Sequence, residues 1–188
     1  KPLAGARFKL YFKFNDRELQ LFEEVTGADG SIIFQNQNAP GSLHVGGTYY
    51  IQETKAPPGY VLNDTFYEVT LGANIFNQDF NFQPVYVNNG EAINNQRIKG
   101  TLELIKVDEN KNPLAGAQFE LLRQSENGAW NTYGDPIYTT GDDGKIILSL
   151  PFGNYRWIER KAPFGYLMDV TEQDFTIVTD GQHVTVGP

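Results

Sequence analysis

The sequence predicts an all-β chain built as two tandem antiparallel β-sandwich domains, from three observations. The 188 residues contain a long internal repeat, an aromatic content of 13% sits beside 19 Gly and 10 Pro, and no long run keeps a helical period. A duplicated unit of about 90 to 100 residues is small but large enough for a core of its own. Tyr and Phe interleaved with turn-forming Gly and Pro suit pleated strands and tight turns better than helices.

The repeat supplies the elements in order. Pro2-Leu3-Ala4-Gly5-Ala6-Arg7-Phe8-Lys9-Leu10 returns as Pro113-Leu114-Ala115-Gly116-Ala117-Gln118-Phe119-Glu120-Leu121. Next, Asp29-Gly30-Ser31-Ile32-Ile33-Phe34 returns as Asp143-Gly144-Lys145-Ile146-Ile147-Leu148, and Gly47-Thr48-Tyr49 as Gly153-Asn154-Tyr155. Last, Glu53-Thr54-Lys55-Ala56-Pro57-Pro58-Gly59-Tyr60 returns as Glu159-Arg160-Lys161-Ala162-Pro163-Phe164-Gly165-Tyr166. The order is kept and only loops change length. Each copy offers four short strand candidates separated by Asp-Gly, Gly-Gly and Pro-Gly turns, the pattern of antiparallel hairpins rather than of α/β units. The boundary falls near Lys99 and Gly100, which gives domains 1–98 and 99–188.

Composition excludes several classes of function. A net charge of −8 argues against nucleic acid, because phosphate binding needs a basic surface. Cysteine is absent and His44 and His183 are the only histidines, so neither a disulfide, a metal site nor a cofactor is expected. No apolar run approaches the roughly 20 residues of a membrane span, and with neither a signal peptide nor a sorting tail the sequence reads as an interior fragment of a longer chain. Small extracellular domains usually need a covalent staple, and the usual one is missing here.

Alternation along strands then singles out charged residues. In the run 101–108, Leu102, Leu104 and Lys106 share one face, so Lys106 follows two leucines inward. Tyr155, Trp157 and Glu159 share a face in the second copy, as Tyr49, Ile51 and Glu53 do in the first. An unpaired buried carboxylate costs several kcal/mol, and placing one at equivalent positions twice points to use of the group. An inward Lys and an inward Glu meet in one core as a reactive pair, or form a plain buried ion pair, or sit at strand ends where both reach water.

The combined pattern resembles the Cna B-type domain: an apolar strand ending in Lys-Val-Asp, then Pro-Leu-Ala-Gly-Ala-x-Phe, an Asp-Gly hairpin, and Tyr-x-x-x-Glu-x-x-Ala-Pro-x-Gly-Tyr. The likeness covers essentially the whole chain in two copies. It implies a prealbumin-like (Ig-like) β-sandwich in which a first-strand Lys attacks the side-chain amide of a last-strand Asn, with a buried Glu assisting. The product is an intramolecular isopeptide bond and the leaving group is ammonia. By position, Lys106 matches the nucleophile and Glu53 and Glu159 match the assisting acid. Burial favours the uncharged forms of amine and carboxyl, which this chemistry needs. Asn95 is the best match for the amide, with Asn94 second and Asn88 and Asn89 behind.

Neither copy holds a full set. The first lacks the strand that would carry its Lys, and the second lacks the last-strand Asn. A sequence cut short at both ends explains this, as does an assembly in which neighbouring chains exchange strands. The resemblance implies a structural stalk or pilin module of a Gram-positive cell-wall-anchored adhesin or pilus, located outside the cell at the cell wall. Its partners would be neighbouring domains or pilin subunits of the same assembly, with a host matrix or cell-surface ligand as a further partner. No turnover enzyme is implied: Glu53 and Glu159 occupy equivalent places in separate domains and could not flank one glycosidic bond. The alternative is a carbohydrate- or matrix-binding module, centred on Trp130, Tyr133 and Tyr138 in an insertion that the first copy lacks.

Overall fold

The structure, a computed structural model, describes residues 1–14, 17–35, 43–72 and 84–187. The chain forms two compact units, Lys1–Gln96 and Arg97–Pro188, so the division falls two residues before the boundary read from the repeat.

In the first unit, β1 (Arg7–Phe14), β2 (Arg17–Val25), β3 (Thr48–Lys55) and β4 (Phe66–Thr70) form one antiparallel sheet in the order β2-β1-β3-β4. Its inner face carries Phe8, Leu10, Phe22, Tyr49 and Ile51, all buried, as the two-residue period of a half-covered sheet requires. The repeat predicts a strand at 29–34 as well, yet residues 31–35 join no ladder among the described residues. Ile32 and Phe34 nevertheless pack on this core.

The second unit is built on the same repeat. It holds β5 (Lys99–Ile105), β6 (Gln118–Gln124), β7 (Trp130–Thr132), β8 (Tyr138–Thr139), β9 (Lys145–Pro151), β10 (Gly153–Lys161), β11 (Gln173–Ile177) and β12 (His183–Val186). One sheet runs β11-β10-β6-β7 with β8 also on β6, matching the first unit's sheet strand for strand; the other runs β12-β5-β9. The strand corresponding to 29–34 is β9, whose ladder partner is β5.

Between the two sheets lie Leu102, Leu104, Leu121, Tyr155, Trp157, Phe175 and Ile177, all buried. Tyr155 stacks on Phe175 at 5.4 Å, and Phe119 meets Trp157 edge-on at 5.8 Å. One pairing departs from the antiparallel expectation: β12 runs parallel to β5, with Val186 opposite Leu104.

Candidate functional site: a buried glutamate in each unit

The glutamates fall where alternation sends them. Along β10 the buried residues are Tyr155, Trp157 and Glu159, and along β3 they are Tyr49, Ile51 and Glu53. Only 1% of Glu53 and 3% of Glu159 is exposed. In each unit the ladder slips directly beside the glutamate. Glu53 pairs with Phe8 and Lys55 with Arg7, leaving Thr54 as the extra residue; Glu159 pairs with Phe119 and Lys161 with Gln118, leaving Arg160. A bulge twists its strand and re-aims the side chain next to it. The slip fixes the carboxylate at the end of the sheet's inner face in both copies.

The loop after each strand then folds back onto the carboxylate. The Asn63 N–H donates to Glu53 Oε2 at 2.8 Å, and the Asp169 N–H donates to Glu159 Oε2 at 2.8 Å, each ten residues past its glutamate. The Ala-Pro-x-Gly-Tyr turns make this return, with Tyr60 N–H bonding to the Pro57 carbonyl and Tyr166 N–H to that of Pro163. In both units the other carboxylate oxygen, Oε1, is buried without a hydrogen-bond partner. Buried polar atoms are nearly always satisfied, so the same unpartnered atom in both copies, among the described residues, makes these two carboxylates the candidate site.

The second donor differs between the units. Asn95 Nδ2 donates to Glu53 Oε2 at 2.5 Å and to the Val61 carbonyl at 3.0 Å. Lys106 Nζ lies 3.0 Å from Glu159 Oε2, with 17% of its side chain exposed. Of the other asparagines considered, Asn94 turns its amide to the Ala92 carbonyl, and Asn88 and Asn89 lie in a single 3-10 turn, Asn88–Gly90. The structure brings Asn95 to Glu53 and Lys106 to Glu159, and leaves those three aside.

Lys106 is held at its backbone from both sides. Its N–H donates to the Gly144 carbonyl and its own carbonyl accepts from Leu114 N–H. Gly144 has φ +70°, and a Cβ there would come within 2.4 Å of the Lys106 carbonyl oxygen, so only glycine lets the Asp-Gly turn approach so closely. Beside the pair opens a cavity of about 170 Å³, floored by Leu104, Phe119 and Trp157 and rimmed by Asp169, Thr171 and Gly187. A Cβ on Gly187 would meet the Ile105 carbonyl oxygen at 2.3 Å, so the end of β12 lies hard against the chain just before Lys106.

A second matched pair escaped the sequence reading. Thr26 and Thr140 are buried, and each hydroxyl accepts from an alanine N–H (Ala6, Ala117) while donating to a leucine carbonyl (Leu3, Leu114). Each threonine latches the Pro-Leu-Ala-Gly-Ala segment that precedes the strand facing the glutamate. The signal available was a Thr at a similar place in both copies, which alternation ranks as ordinary.

The aromatic insertion is turned to packing. Tyr133 meets Tyr155 edge-on at 5.6 Å, Tyr138 meets Trp157 at 5.5 Å, and the Arg156 guanidinium lies 4.5 Å from the centre of the Trp130 ring. Burial pushes the Tyr155 hydroxyl up to about 12. No cluster of metal-binding side chains occurs among the described residues, and no helix among them is long and apolar enough to cross a membrane.

The family model described as the SpaA prealbumin-like fold domain matches residues 1–83 and 100–187. Among solved structures, the Bacillus anthracis TIE protein is 23% identical, with a TM-score of 0.72 over 97% of this chain and 29% of its own. A C-terminal fragment of the pilus adhesin SpaC from Lactobacillus rhamnosus GG is 22% identical, with a TM-score of 0.54 over 94% of this chain and 74% of the fragment. A longer SpaC structure, also 22% identical, has a TM-score of 0.52, and the chain covers 24% of it. At such identities the likeness is one of fold, and the chain spans less than a third of the first structure's length. No curated protein matches the chain.

Proposed function

Because the chain belongs to the family of SpaA prealbumin-like fold domains, we propose that it is a structural module of a Gram-positive pilus or cell-wall-anchored adhesin, hardened by Lys–Asn isopeptide bonds. The observation that carries this reading is the complementarity of the two units. One buried glutamate holds an amide, Asn95, and the other holds an amine, Lys106, on the same carboxylate oxygen.

The chemistry balances without a co-reactant. The neutral Lys Nζ attacks the Asn side-chain carbon, a new C–N bond forms and the bond to the amide nitrogen breaks. The proton shed by Nζ passes through the Glu carboxyl to the departing nitrogen, which leaves as ammonia. The glutamate ends unchanged, so the event is a single turnover. In the second domain Lys106 is the nucleophile and Glu159 the proton carrier. Its acceptor would arrive on a strand in the register of β12, where Val186 already stands opposite Leu104, two residues short of Lys106. In the first domain Asn95 is the acceptor and Glu53 the carrier, and the amine comes from a strand playing the part of β5. Module partners are neighbouring domains or pilin subunits, at the cell surface.

Intact-mass measurement of the full-length protein tests this. The expected result is a mass lower by one ammonia for each domain, and Glu159→Ala should restore one ammonia while the second domain stays folded. A full-length protein at its unmodified mass would overturn the reading.

A further inference from the structure

Trp157 is a buried polar group that the proposed reaction leaves unused. It lies two residues before Glu159 on the inner face of β10, 1% exposed, and its Nε1–H has no acceptor among the described residues. A buried donor without a partner is costly, and the indole N–H of a core Trp usually finds one. The rings around it supply none. Phe119 and Tyr138 meet the indole edge-on at 5.8 and 5.5 Å, and the Tyr138 hydroxyl accepts the Asp135 N–H at 3.0 Å.

Trp157 also lines the cavity beside Lys106, together with Glu159, whose Oε1 is an unpartnered acceptor. The cavity is therefore lined by one residue with a spare donor and one with a spare acceptor, next to an amine 3.0 Å from Glu159 Oε2. A carboxamide carries the complementary pair, since its carbonyl accepts and its NH2 donates. The first unit shows which end of an amide the glutamate takes. Asn95 meets Glu53 through Nδ2, its nitrogen end, so the carbonyl of an amide held this way must find its donor elsewhere. The position equivalent to Trp157 there is Ile51, buried and without a donor. The two sites share the group that meets the nitrogen and differ in the group available to the oxygen.

We propose that Trp157 is a catalytic residue of the second domain, its indole N–H donating to the carbonyl oxygen of the amide that Lys106 attacks. The inference rests on the Lys–Asn reading and adds an oxyanion donor to it. As Nζ bonds to the amide carbon, the carbonyl π electrons move onto oxygen, where the N–H stabilises the charge. The double bond then re-forms, the bond to the amide nitrogen breaks, and that nitrogen takes the proton carried by Glu159 and leaves as ammonia. Trp157 keeps its proton throughout. A donor fixed in advance in a site shut from water needs no reorganisation when the charge develops.

The test follows ammonia loss from freshly made full-length protein by intact mass against time, with peptide mapping to assign it to a domain. Two replacements are compared: Trp157→Phe, and benzothienylalanine at position 157, which keeps the shape of the indole and puts sulfur in place of the N–H. Both should slow the second-domain loss by about a hundredfold, the scale of removing one oxyanion donor, and leave the first-domain loss at its wild-type rate. Benzothienylalanine keeps the packing, so it decides the matter if Trp157→Phe fails to fold. A wild-type rate with benzothienylalanine overturns the inference even where Trp157→Phe is slow, because ring packing is then the whole effect. Equal slowing of both domains overturns it as well. Wild-type full-length protein at its unmodified mass sinks the Lys–Asn reading and the inference with it, whereas ammonia loss mapped to Lys106 at a rate indifferent to the N–H sinks only the role of Trp157.

Discussion

In the first domain the buried glutamate meets Asn95, in the second it meets Lys106, and everything that fixes the carboxylate itself is common to both. The shared parts are the inward-facing tyrosine four residues earlier, the bulge at the glutamate, the loop N–H on Oε2 and the threonine latch. All of them belong to the sheet that carries the glutamate, four-stranded in the first domain and five-stranded in the second, and to its loops. Glu53 is as buried as Glu159, and each accepts the loop N–H ten residues on. The sheet that carries the glutamate and its loops thus positions the acid in both copies, and the group that meets it comes from chain packed against that sheet.

Removing the delivered partner gives the largest expected effect. In full-length protein carrying the proposed bond, Lys106→Ala removes a covalent tie between the first and last strands of the second domain. By analogy with a disulfide closing a loop of about 100 residues, the loss is about 4 to 5 kcal/mol. Chemical denaturation should show the second domain unfolding much earlier, with the first domain unmoved and the change insensitive to reductant. Equal midpoints for the two proteins would make Lys106 only a charge at a strand end.

Removing a shared part should instead cost both domains alike. Thr140→Val leaves the Ala117 N–H and the Leu114 carbonyl buried and unpaired, and Thr26→Val does the same to Ala6 and Leu3. At about 1 to 3 kcal/mol for each orphaned group, each substitution should cost about 2 to 6 kcal/mol in its own domain. Thermal unfolding of the two variants checks this. A large cost in one domain with none in the other would break the claim that the two frames are equivalent.

What the sequence disclosed divides along the same line. Period-two alternation was enough to send Glu53, Glu159 and Lys106 inward, because it depends only on neighbours within one strand. Asn95 was legible through its distance from the next domain's first strand. The bulges, the parallel pairing of β12 and the threonine latches were not, since each depends on which backbone lies alongside. The segment 31–35 has a strand's pattern but joins no ladder among the described residues, and sequence alone does not tell the two apart.

The smallest expected effect concerns the three-stranded sheet of the second domain. Glu103 on β5 bonds Lys145 on β9 at 2.5 Å and lies 3.3 Å from His183 on β12, so one side chain stitches all three strands. Those hydrogen bonds, Lys145 first and His183 second, hold its carboxyl below the ordinary 4.5. A carboxyl lowered in the folded state stabilises the fold above its unfolded value and loses that contribution as pH falls through the folded one. Acidification from neutral to below about 4.5 should therefore loosen β9 and β12 from β5, seen as faster amide exchange at Leu102 and Val184. In the first domain a lowered carboxyl that joins two strands is Glu23, held by Arg7 and Lys9, and it ties β2 to β1 within the four-stranded sheet. Acid there should free the β2 edge and leave Glu53 covered. The pairs are partly exposed, so each change is small and weakens with salt. Glu103→Gln should remove the pH dependence at β12 while leaving that at β2. If both domains instead loosen together in that variant, the acid response belongs to net charge and the stitch across β9, β5 and β12 is incidental.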